Sequence, residues 1–208
     1  MTTEIKKKHI ALTFDDGPNE HTVNILDTFK KHGGHGTFFV VGNTIEGKED
    51  ILFRTASEGH EIGNHTFSHA PLTYMTEEDM KNDILKTTES IKSACGAAPV
   101  FVRPPFGDIG NTVKKMGKDL GYAFAGWSLD TQDWATDCPE NVIDIIVSNV
   151  KENDIILCHD RCLSTAVAME KIIPALIDMG YELVTLSKLL KYNGIVPEKG
   201  EYYQNITL

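Results

Sequence analysis

Cysteine is scarce in this chain of 208 residues: there are four cysteines, and none of them belongs to a Cys-x-x-Cys pair. That number is too small for a disulfide scaffold. Cys158 and Cys162 flank the segment His-Asp-Arg, a spacing that can bring two thiols together. We expect instead that both are small buried or half-buried thiols, and their redox state stays open.

Long apolar runs are also missing. No run approaches the roughly 18 to 20 residues that a membrane span requires. Residues 1–8 lack the apolar core and the small-residue cleavage site of a secretory signal. The sequence therefore predicts no membrane span and leaves two locations open: the cytoplasm, or the cell surface or medium if a signal or anchor was removed.

Basic residues are outnumbered by acidic ones. The chain has 20 Lys and Arg residues against 30 Asp and Glu, which gives a formal net charge of −10 and a pI of about 5.2. This balance argues against a nucleic acid or an anionic membrane as partner. We expect a monomer.

The glycine pattern of dinucleotide-binding folds does not follow the first predicted strand. Strand-like runs instead alternate with helix-like segments, which predicts one α/β domain over residues 1–208 with a parallel sheet. A closed or nearly closed barrel explains the number of repeats better than the alternative, a doubly wound sheet. Residues 195–208 show no periodicity and are predicted to form a C-terminal tail. The predicted strands are Ile10–Phe14, Gly36–Val41, His60–Gly63, Val100–Arg103, Tyr122–Leu129, Asp154–Cys158 and Tyr181–Thr185.

Helix-like segments lie between these strands. Thr76 and the three acidic residues after it predict an N-cap followed by charges that suit the positive end of a helix. The predicted helices are Thr22–Lys31, Asn43–Ser57, Thr76–Ala94, Asn111–Leu120, Pro139–Val150, Ser164–Met179 and Ser187–Lys191.

Two adjacent carboxylates, Asp15 and Asp16, follow the first predicted strand and precede the turn at Gly17-Pro18. Ligands bind at the carboxyl ends of the strands in parallel α/β folds. Neighbouring carboxylates repel one another in a partly dry site unless a cation or an arginine neutralises each of them. The sequence therefore predicts partners for this pair at the ends of other strands.

Polar side chains follow the other predicted strands as well. His65 and His69 are four residues apart and can face the same way on a helical turn, as metal-binding histidine pairs do. Arg103 ends the fourth strand, and its guanidinium suits a carboxylate. The candidates at the next two strand ends are Asp133, Trp134, Leu157 and His159.

These residue types divide the work of hydrolysis. Two histidines and one carboxylate are the ligand set of a hydrolytic metal site. The other carboxylate, held by Arg103, would act as general base on the attacking water. His159, kept cationic by Asp133, would protonate the leaving group. The metal and backbone N–H groups near the turn at Pro105 would stabilise the oxyanion, and Trp134 and Leu157 would form a small apolar pocket.

Five segments resemble, in order, the motifs of the polysaccharide deacetylases of carbohydrate esterase family 4, the NodB homology domain. The resemblance extends from Thr13 to about Leu190, and the order of the motifs makes it specific. The segments are Thr13–Pro18, His65–His69, Arg103–Gly107, Asp130–Trp134 and Ile156–His159.

The resemblance implies a single-domain distorted (β/α)7 barrel, similar to a TIM barrel. It also implies a divalent metal, usually zinc and sometimes cobalt or nickel, bound by Asp16, His65 and His69. The implied catalytic residues are Asp15 as base, Arg103 as its partner, His159 as acid and Asp133 as the residue that tunes His159, with the backbone N–H of Phe106 in the oxyanion site.

Two residues depart from the family pattern. Phe106 stands where tyrosine is more common, which puts substrate contacts in doubt rather than catalysis. Cys158 is uncommon before His159, and a thiol there could bind a ligand or oxidise.

The resemblance implies an enzyme that removes acetyl groups from N-acetylglucosamine-containing glycans, chitin oligosaccharides or peptidoglycan, and releases acetate. The acetylated glycan would be its partner. An O-acetyl (acetylxylan) esterase of the same family is the next candidate. A cytoplasmic cyclic-amide hydrolase and a non-catalytic sugar-binding domain are the less favoured alternatives.

Overall fold

A computed structural model describes residues 8–206. The prediction that the N-terminus is not a signal sequence concerns residues 1–8, and residues 1–7 lie outside the described range. Within it the chain forms nine strands. They are β1 (Lys8–Asp15), β2 (Thr37–Val40), β3 (Glu61–Asn64), β4 (Phe101–Val102), β5 (Ala123–Ala125), β6 (Leu129–Asp130), β7 (Ile155–His159), β8 (Tyr181–Leu183) and β9 (Tyr202–Tyr203).

Every pairing between these strands is parallel. The strand order is β6-β7-β1-β2-β3-β4-β5-β9, and β8 pairs with the first part of β1. The sheet curls into a distorted (β/α)7 barrel, as the sequence predicts. β6 and β9 are the two ends of the ladder among the described residues, so strand pairing does not close the barrel completely.

Seven helices surround the sheet in the described part of the chain, and side chains cap the N-termini of three of them, α1, α3 and α7. Asn19 accepts hydrogen bonds from the N–H groups of His21 and Thr22 and so caps α1. Thr76 caps α3 as predicted, by accepting from the N–H of Asp79. The helices are α1 (Glu20–His32), α2 (Glu49–Ser57), α3 (Glu77–Cys95), α4 (Asn111–Leu120), α5 (Pro139–Asn149), α6 (Leu163–Asp178) and α7 (Leu186–Tyr192).

The core lies between the sheet and the helices. β1 is buried from Ile10 to its end, because helices or neighbouring strands cover both of its faces. Phe14 stacks on Phe38 of the adjacent strand, with ring centroids 4.9 Å apart. Burial of such aromatic and aliphatic side chains, at about 25 cal/mol per Å² of apolar surface, is the main source of stability. This core fixes the position of the strand ends.

Three predicted elements differ from the structure. The predicted strand Tyr122–Leu129 is divided into β5 and β6, which pair with different neighbours. The predicted helix Asn43–Ser57 is shorter, because only Glu49–Ser57 is α-helical and a short 3-10 turn, Gly42–Thr44, precedes it. The segment predicted as a tail contributes β9, which pairs with β5, and buries Ile206 in the core.

All four cysteines are free thiols. Cys158 is fully buried in the core, and burial raises the pKa of its thiol well above the usual value. The thiolate that ligand binding or oxidation requires is therefore disfavoured at Cys158, which argues against both reactions there. Cys162 is half-buried. Within residues 8–206 no helix is both long and apolar enough to cross a bilayer.

Candidate active site

The central strand β1 brings a carboxylate beside a histidine. β1 pairs with β7 in a register that places Asp15 opposite His159, and Asp15 also pairs with Phe39 of β2 on the other side. All of these residues lie at the carboxyl ends of their strands. The two predicted proton-transfer residues are therefore neighbours in one backbone ladder.

Arg103 and Asp15 form a buried ion pair. The Arg103 side chain has no exposed surface, and its Nη1 donates to Oδ1 of Asp15 at 2.7 Å. The same nitrogen donates to the hydroxyl of Thr13 at 2.8 Å, and the guanidinium lies 4.1 Å from the ring centroid of Phe39. Each contact restricts the arginine, so the carboxylate is held in a single orientation.

The division between β5 and β6 has a role in this arrangement. Gly126 lies in the gap, and its carbonyl oxygen accepts from Nη2 of Arg103 at 2.8 Å. A continuous strand would have used that carbonyl in its ladder. The irregularity in the sheet therefore supplies the acceptor that orients the arginine.

Asp16, His65 and His69 form a compact cluster. One potential ligand atom from each lies within 4.8 Å of the other two. Oδ1 of Asp16 is 3.5 Å from Nε2 of His65 and 3.1 Å from Nε2 of His69. Burial would raise the pKa of Asp16, but the neighbouring His69 and His65 outweigh it and lower that pKa to about 2. The carboxylate is therefore ionised.

The two histidines reach this cluster from an irregular segment and not from the helical turn that the spacing suggests. Residues 65–69 contain no helix, and Thr66 and His69 have φ values of 66° and 56°. Asp83 accepts hydrogen bonds from the N–H groups of Phe67 and Ser68 and holds the segment from outside. The rings still converge, with centroids 4.9 Å apart.

The donor set of this cluster fits a divalent cation. The backbone carbonyl of Arg103 lies 2.7 Å from Nδ1 of His65, which places the ring proton on Nδ1 and leaves the Nε2 lone pair for a ligand. Burial lowers the pKa of His65, which favours the neutral ring that metals require. Oδ1 of Asp16 is buried and makes no hydrogen bond of acceptable geometry. Two imidazole nitrogens and one carboxylate oxygen suit zinc, cobalt or nickel.

His159 and Asp133 form a second ordered pair. Oδ1 of Asp133 lies 2.7 Å from Nδ1 of His159, while Oδ2 accepts from the backbone N–H of His159 and from the hydroxyl of Thr165, both at 2.6 Å. Burial alone would lower the pKa of His159, but the hydrogen bond and charge of Asp133 raise it above the usual value. The protonated imidazole is thus favoured.

Asp15, Asp16, the two histidines of the cluster and His159 line one pocket of about 380 Å³, together with several apolar side chains. Trp134 and Leu157 are among them, as the sequence predicts. Phe106 lies at the rim, with its ring centroid 5.0 Å from that of His69. The pocket therefore combines a polar floor with apolar walls, which suits an acyl group.

Backbone strain concentrates around this pocket. Six described residues other than glycine have positive φ values, and five of them belong to the segments predicted to form the site. Such conformations cost about 1 kcal/mol or more each and are retained where the surrounding structure requires them. The five are Asp16, Thr66, His69, Phe106 and Gln132.

Sequence reasoning missed several residues of the site. Trp127, Asp130 and Arg161 also line the pocket. Asp160, next to His159, is buried, accepts from the hydroxyl of Thr22 at 2.6 Å, and has its pKa raised to about 7 by burial. The signal that could have found Arg161 and Asp160 was their position immediately after the motif at His159.

Comparison with known proteins decides the family. The pattern described as "Polysaccharide deacetylase" matches residues 2–125. The chain belongs to the polysaccharide deacetylase family. The matched segment contains Asp15, Asp16, both histidines of the cluster and Arg103.

The curated relatives of this chain include two proteins from Bacillus. The peptidoglycan-N-acetylmuramic acid deacetylase PdaC of Bacillus subtilis is 39% identical over 190 residues, 90% of this chain and 40% of PdaC. A peptidoglycan-N-acetylglucosamine deacetylase of Bacillus cereus is 37% identical over 190 residues, 89% of this chain and 69% of the relative. The chain thus spans less than half the length of PdaC.

Three solved structures share the fold. A structure described as T48 deacetylase with substrate has a TM-score of 0.90 and 35% identity, covering 95% of this chain and 97% of its own. A family 4 acetyl xylan esterase from Clostridium thermocellum, in complex with cobalt, has a TM-score of 0.89 and 32% identity, with coverages of 97% and 100%. BA3943, a CE4 family pseudoenzyme from Bacillus anthracis, has a TM-score of 0.82 and 26% identity, with coverages of 89% and 66%.

Proposed function

We propose that this chain is a metal-dependent hydrolase that removes acetyl groups from N-acetylglucosamine-containing glycans and releases acetate. One observation carries the proposal. Asp15, held by Arg103, and His159, held by Asp133, line the same pocket as the cluster of two histidines and Asp16. A base, an acid and a ligand set for a cation are the parts that hydrolysis of an amide requires.

Asp16, His65 and His69 would hold the cation, which by their chemistry is zinc first, with cobalt or nickel as substitutes. When bound, such a cation polarises the acyl carbonyl and makes water more acidic. The remaining steps belong to the side chains and backbone of the chain itself.

Asp15 would be the general base. Arg103 engages Oδ1 of Asp15, whereas Oδ2 lies 3.6 Å from Nε2 of His65 and faces the cluster. That second oxygen would accept a proton from the attacking water as the water oxygen bonds to the acyl carbon. Arg103 keeps the carboxylate oriented during this step.

His159 would be the general acid. Asp133 holds Nδ1 of the ring, so the proton on Nε2 is the one available for transfer. As the carbon–nitrogen bond breaks, this proton would pass to the departing nitrogen, which leaves as a free amine while the acyl group leaves as acetate. The raised pKa of His159 keeps the acid form populated near neutral pH.

The pocket walls would position the acetyl group. Trp134 and Leu157 would contact its methyl carbon, and the backbone N–H of Phe106 would donate to the developing oxyanion. Because the backbone supplies this donor, phenylalanine can stand where tyrosine is more common. The Phe106 ring would then contact the glycan.

The names of the curated relatives favour a peptidoglycan or chitin-type substrate, and the esterase from Clostridium thermocellum keeps acetylxylan as the alternative. Acetate release from chitopentaose and from acetylated xylan would distinguish the two. We expect faster release from chitopentaose, complete loss with chelator, and recovery when zinc or cobalt is added back. Activity that survives complete metal removal would contradict the proposal.

Two variants separate the proposed roles. Asp15→Asn should nearly abolish turnover while bound metal, measured by elemental analysis, stays at the wild-type level. His65→Ala should lose the metal itself, and His32→Ala, which removes a histidine from the end of α1, should lose neither metal nor turnover. Substantial activity in Asp15→Asn would refute its assignment as base.

A sugar-binding domain and a cyclic-amide hydrolase receive less support. A sugar-binding domain without activity needs no base and acid, and both pairs are present here, whereas BA3943 shows that the family includes a pseudoenzyme. The only support for a cytoplasmic cyclic-amide hydrolase comes from the composition of residues 1–8.

A substrate in the cell wall would place the protein at the cell surface or outside the cell. That the protein is a monomer stays a prediction.

A further inference from the structure

One arginine at the pocket has no role in the proposed hydrolysis. Arg161 lies just beyond β7, and it is the one lysine or arginine among the residues that line the catalytic pocket in the described part of the chain. Its side chain is 56% exposed, so a molecule in the pocket can reach the guanidinium. Arg103 differs, because it is fully buried and engaged with Asp15.

Arg161 approaches Asp16 from the side away from the histidines. Its Nε lies 3.0 Å from Oδ2 of Asp16, whereas His65 and His69 face Oδ1. The contact through Nε places one edge of the planar guanidinium against Asp16. An anchored fork with exposed surface is suited to a second, bidentate contact with a planar anion.

Arg161 also stands where two pockets meet. Together with Trp134 it lines the catalytic pocket and a second pocket of about 600 Å³ beside it. The second pocket is lined by the exposed apolar side chains Leu163 and Val167. A glycan of two or more sugars can therefore extend from one pocket into the other and pass the guanidinium.

The neighbouring charges make this contact selective. Asp130 lines the catalytic pocket and Asp137 lines the second one, so the surroundings of the arginine are acidic. Asp130 and Asp137 disfavour an anion beside them, whereas Arg161 attracts one at the point where the two pockets meet. A neutral sugar experiences neither effect.

We propose that Arg161 is a specificity-determining residue that binds a carboxylate on the glycan, next to the acetyl group that is removed. The preferred substrate class is thus an acidic amino sugar or an oligosaccharide that contains one. This inference rests on the proposed deacetylase function, and it adds the charge of the substrate to it.

The test compares two substrates that differ in the charge of their lactyl groups and in one methyl group on each. The first is a peptide-free tetrasaccharide of alternating N-acetylglucosamine and N-acetylmuramic acid, whose lactyl carboxylates are free. The second is the same tetrasaccharide with these carboxylates converted to methyl esters. Acetate release gives kcat/KM for each, and the ratio of acid to ester is the measured quantity.

For the wild type we expect a ratio of about ten, which is the effect of one half-exposed charge-assisted contact. Arg161→Gln should reduce the ratio to about one, and Arg161→Lys should retain part of it. If Arg161→Gln also disturbs Asp16, it should change kcat/KM for both substrates by the same factor, so the ratio of acid to ester stays the same. Lys118→Gln, which removes the same charge from α4, should leave the ratio unchanged.

Two results would overturn the inference. A wild-type ratio near one means that no carboxylate is recognised. A ratio that survives in Arg161→Gln assigns recognition to another residue. If Arg161→Gln keeps the ratio but binds zinc more weakly in calorimetry, Arg161 is only a positioning residue for Asp16. Failure of the wild type on both tetrasaccharides and on chitopentaose would instead refute the deacetylase function on which the inference depends.

Discussion

Removal of Arg103 should destabilise the protein more than removal of any surface arginine. Arg103→Met leaves the Asp15 carboxylate buried and without its cation, and it also deprives Thr13 and Gly126 of their donor. Breaking a buried ion pair from one side costs about 3–5 kcal/mol. For a chain of this size that corresponds to a fall in Tm of about 10 °C.

Asp15→Asn, which removes the other charge of the pair, should lower the free energy of unfolding less than Arg103→Met does. Asp15→Asn keeps an oxygen that can accept from Nη1 of Arg103, so we expect a loss of about 1–3 kcal/mol. When both charges are removed, no buried charge remains unpaired. The double variant should therefore lose about 2 kcal/mol less than the sum of the two single losses.

Urea denaturation of metal-free protein measures these free energies of unfolding, since bound metal would add its own stabilisation. Arg54→Met is the matched control, because Arg54 pairs with Asp27 and Glu58 at the surface and should cost about 1 kcal/mol or less. The coupling inferred from the geometry would be refuted if the losses in free energy of unfolding for the Arg103 and Asp15 variants simply add in the double variant. It would also be refuted if Arg103→Met loses no more than Arg54→Met.

Two further predictions concern pH. Asp133→Asn removes the charge that raises the pKa of His159. The proposed mechanism uses the protonated ring, which is lost as pH rises, so the alkaline limb of kcat/KM should move to lower pH. An unmoved limb would exclude His159 as acid. Burial lowers the pKa of His60 to about 4 in the folded protein. As pH falls below 6.5, the imidazole of His60 is protonated in the unfolded chain before it is protonated in the folded one. The free energy of unfolding should therefore fall by about 3 kcal/mol between pH 6.5 and 4. His60→Gln, which can still accept from Gly36 N–H, should flatten that loss in urea denaturation at pH 7 and 4.5, and an equally steep loss in the variant would contradict it.

The sequence predicted those site residues that follow buried strands. Asp15, Arg103 and His159 each come directly at the end of an apolar run, so the parallel sheet brings them to one edge. Helix α4 was predicted with its observed bounds, Asn111–Leu120. Local pattern and tertiary structure agree at these positions.

The features that were missed depend on contacts between distant segments. Two tyrosines at β9 carry no periodic signal, and they form a strand only because β5 offers a free edge. The division of Tyr122–Leu129 depends on which strand each half pairs with. Arg161 has no apolar neighbour before it to mark a strand end, and only the fold brings it to Asp16.

The register between β1 and β7 has a consequence for how this enzyme can change over evolution. Asp15 and His159 are cross-strand partners, so their separation is set by backbone hydrogen bonds in the middle of the sheet. Insertions in the surface loops can reshape the rim of the pocket without moving either residue. A deletion of one residue within β1 would instead turn Asp15 to the other face of the sheet. Loop changes can therefore alter what the pocket admits, while the separation of Asp15 and His159 is inherited unchanged.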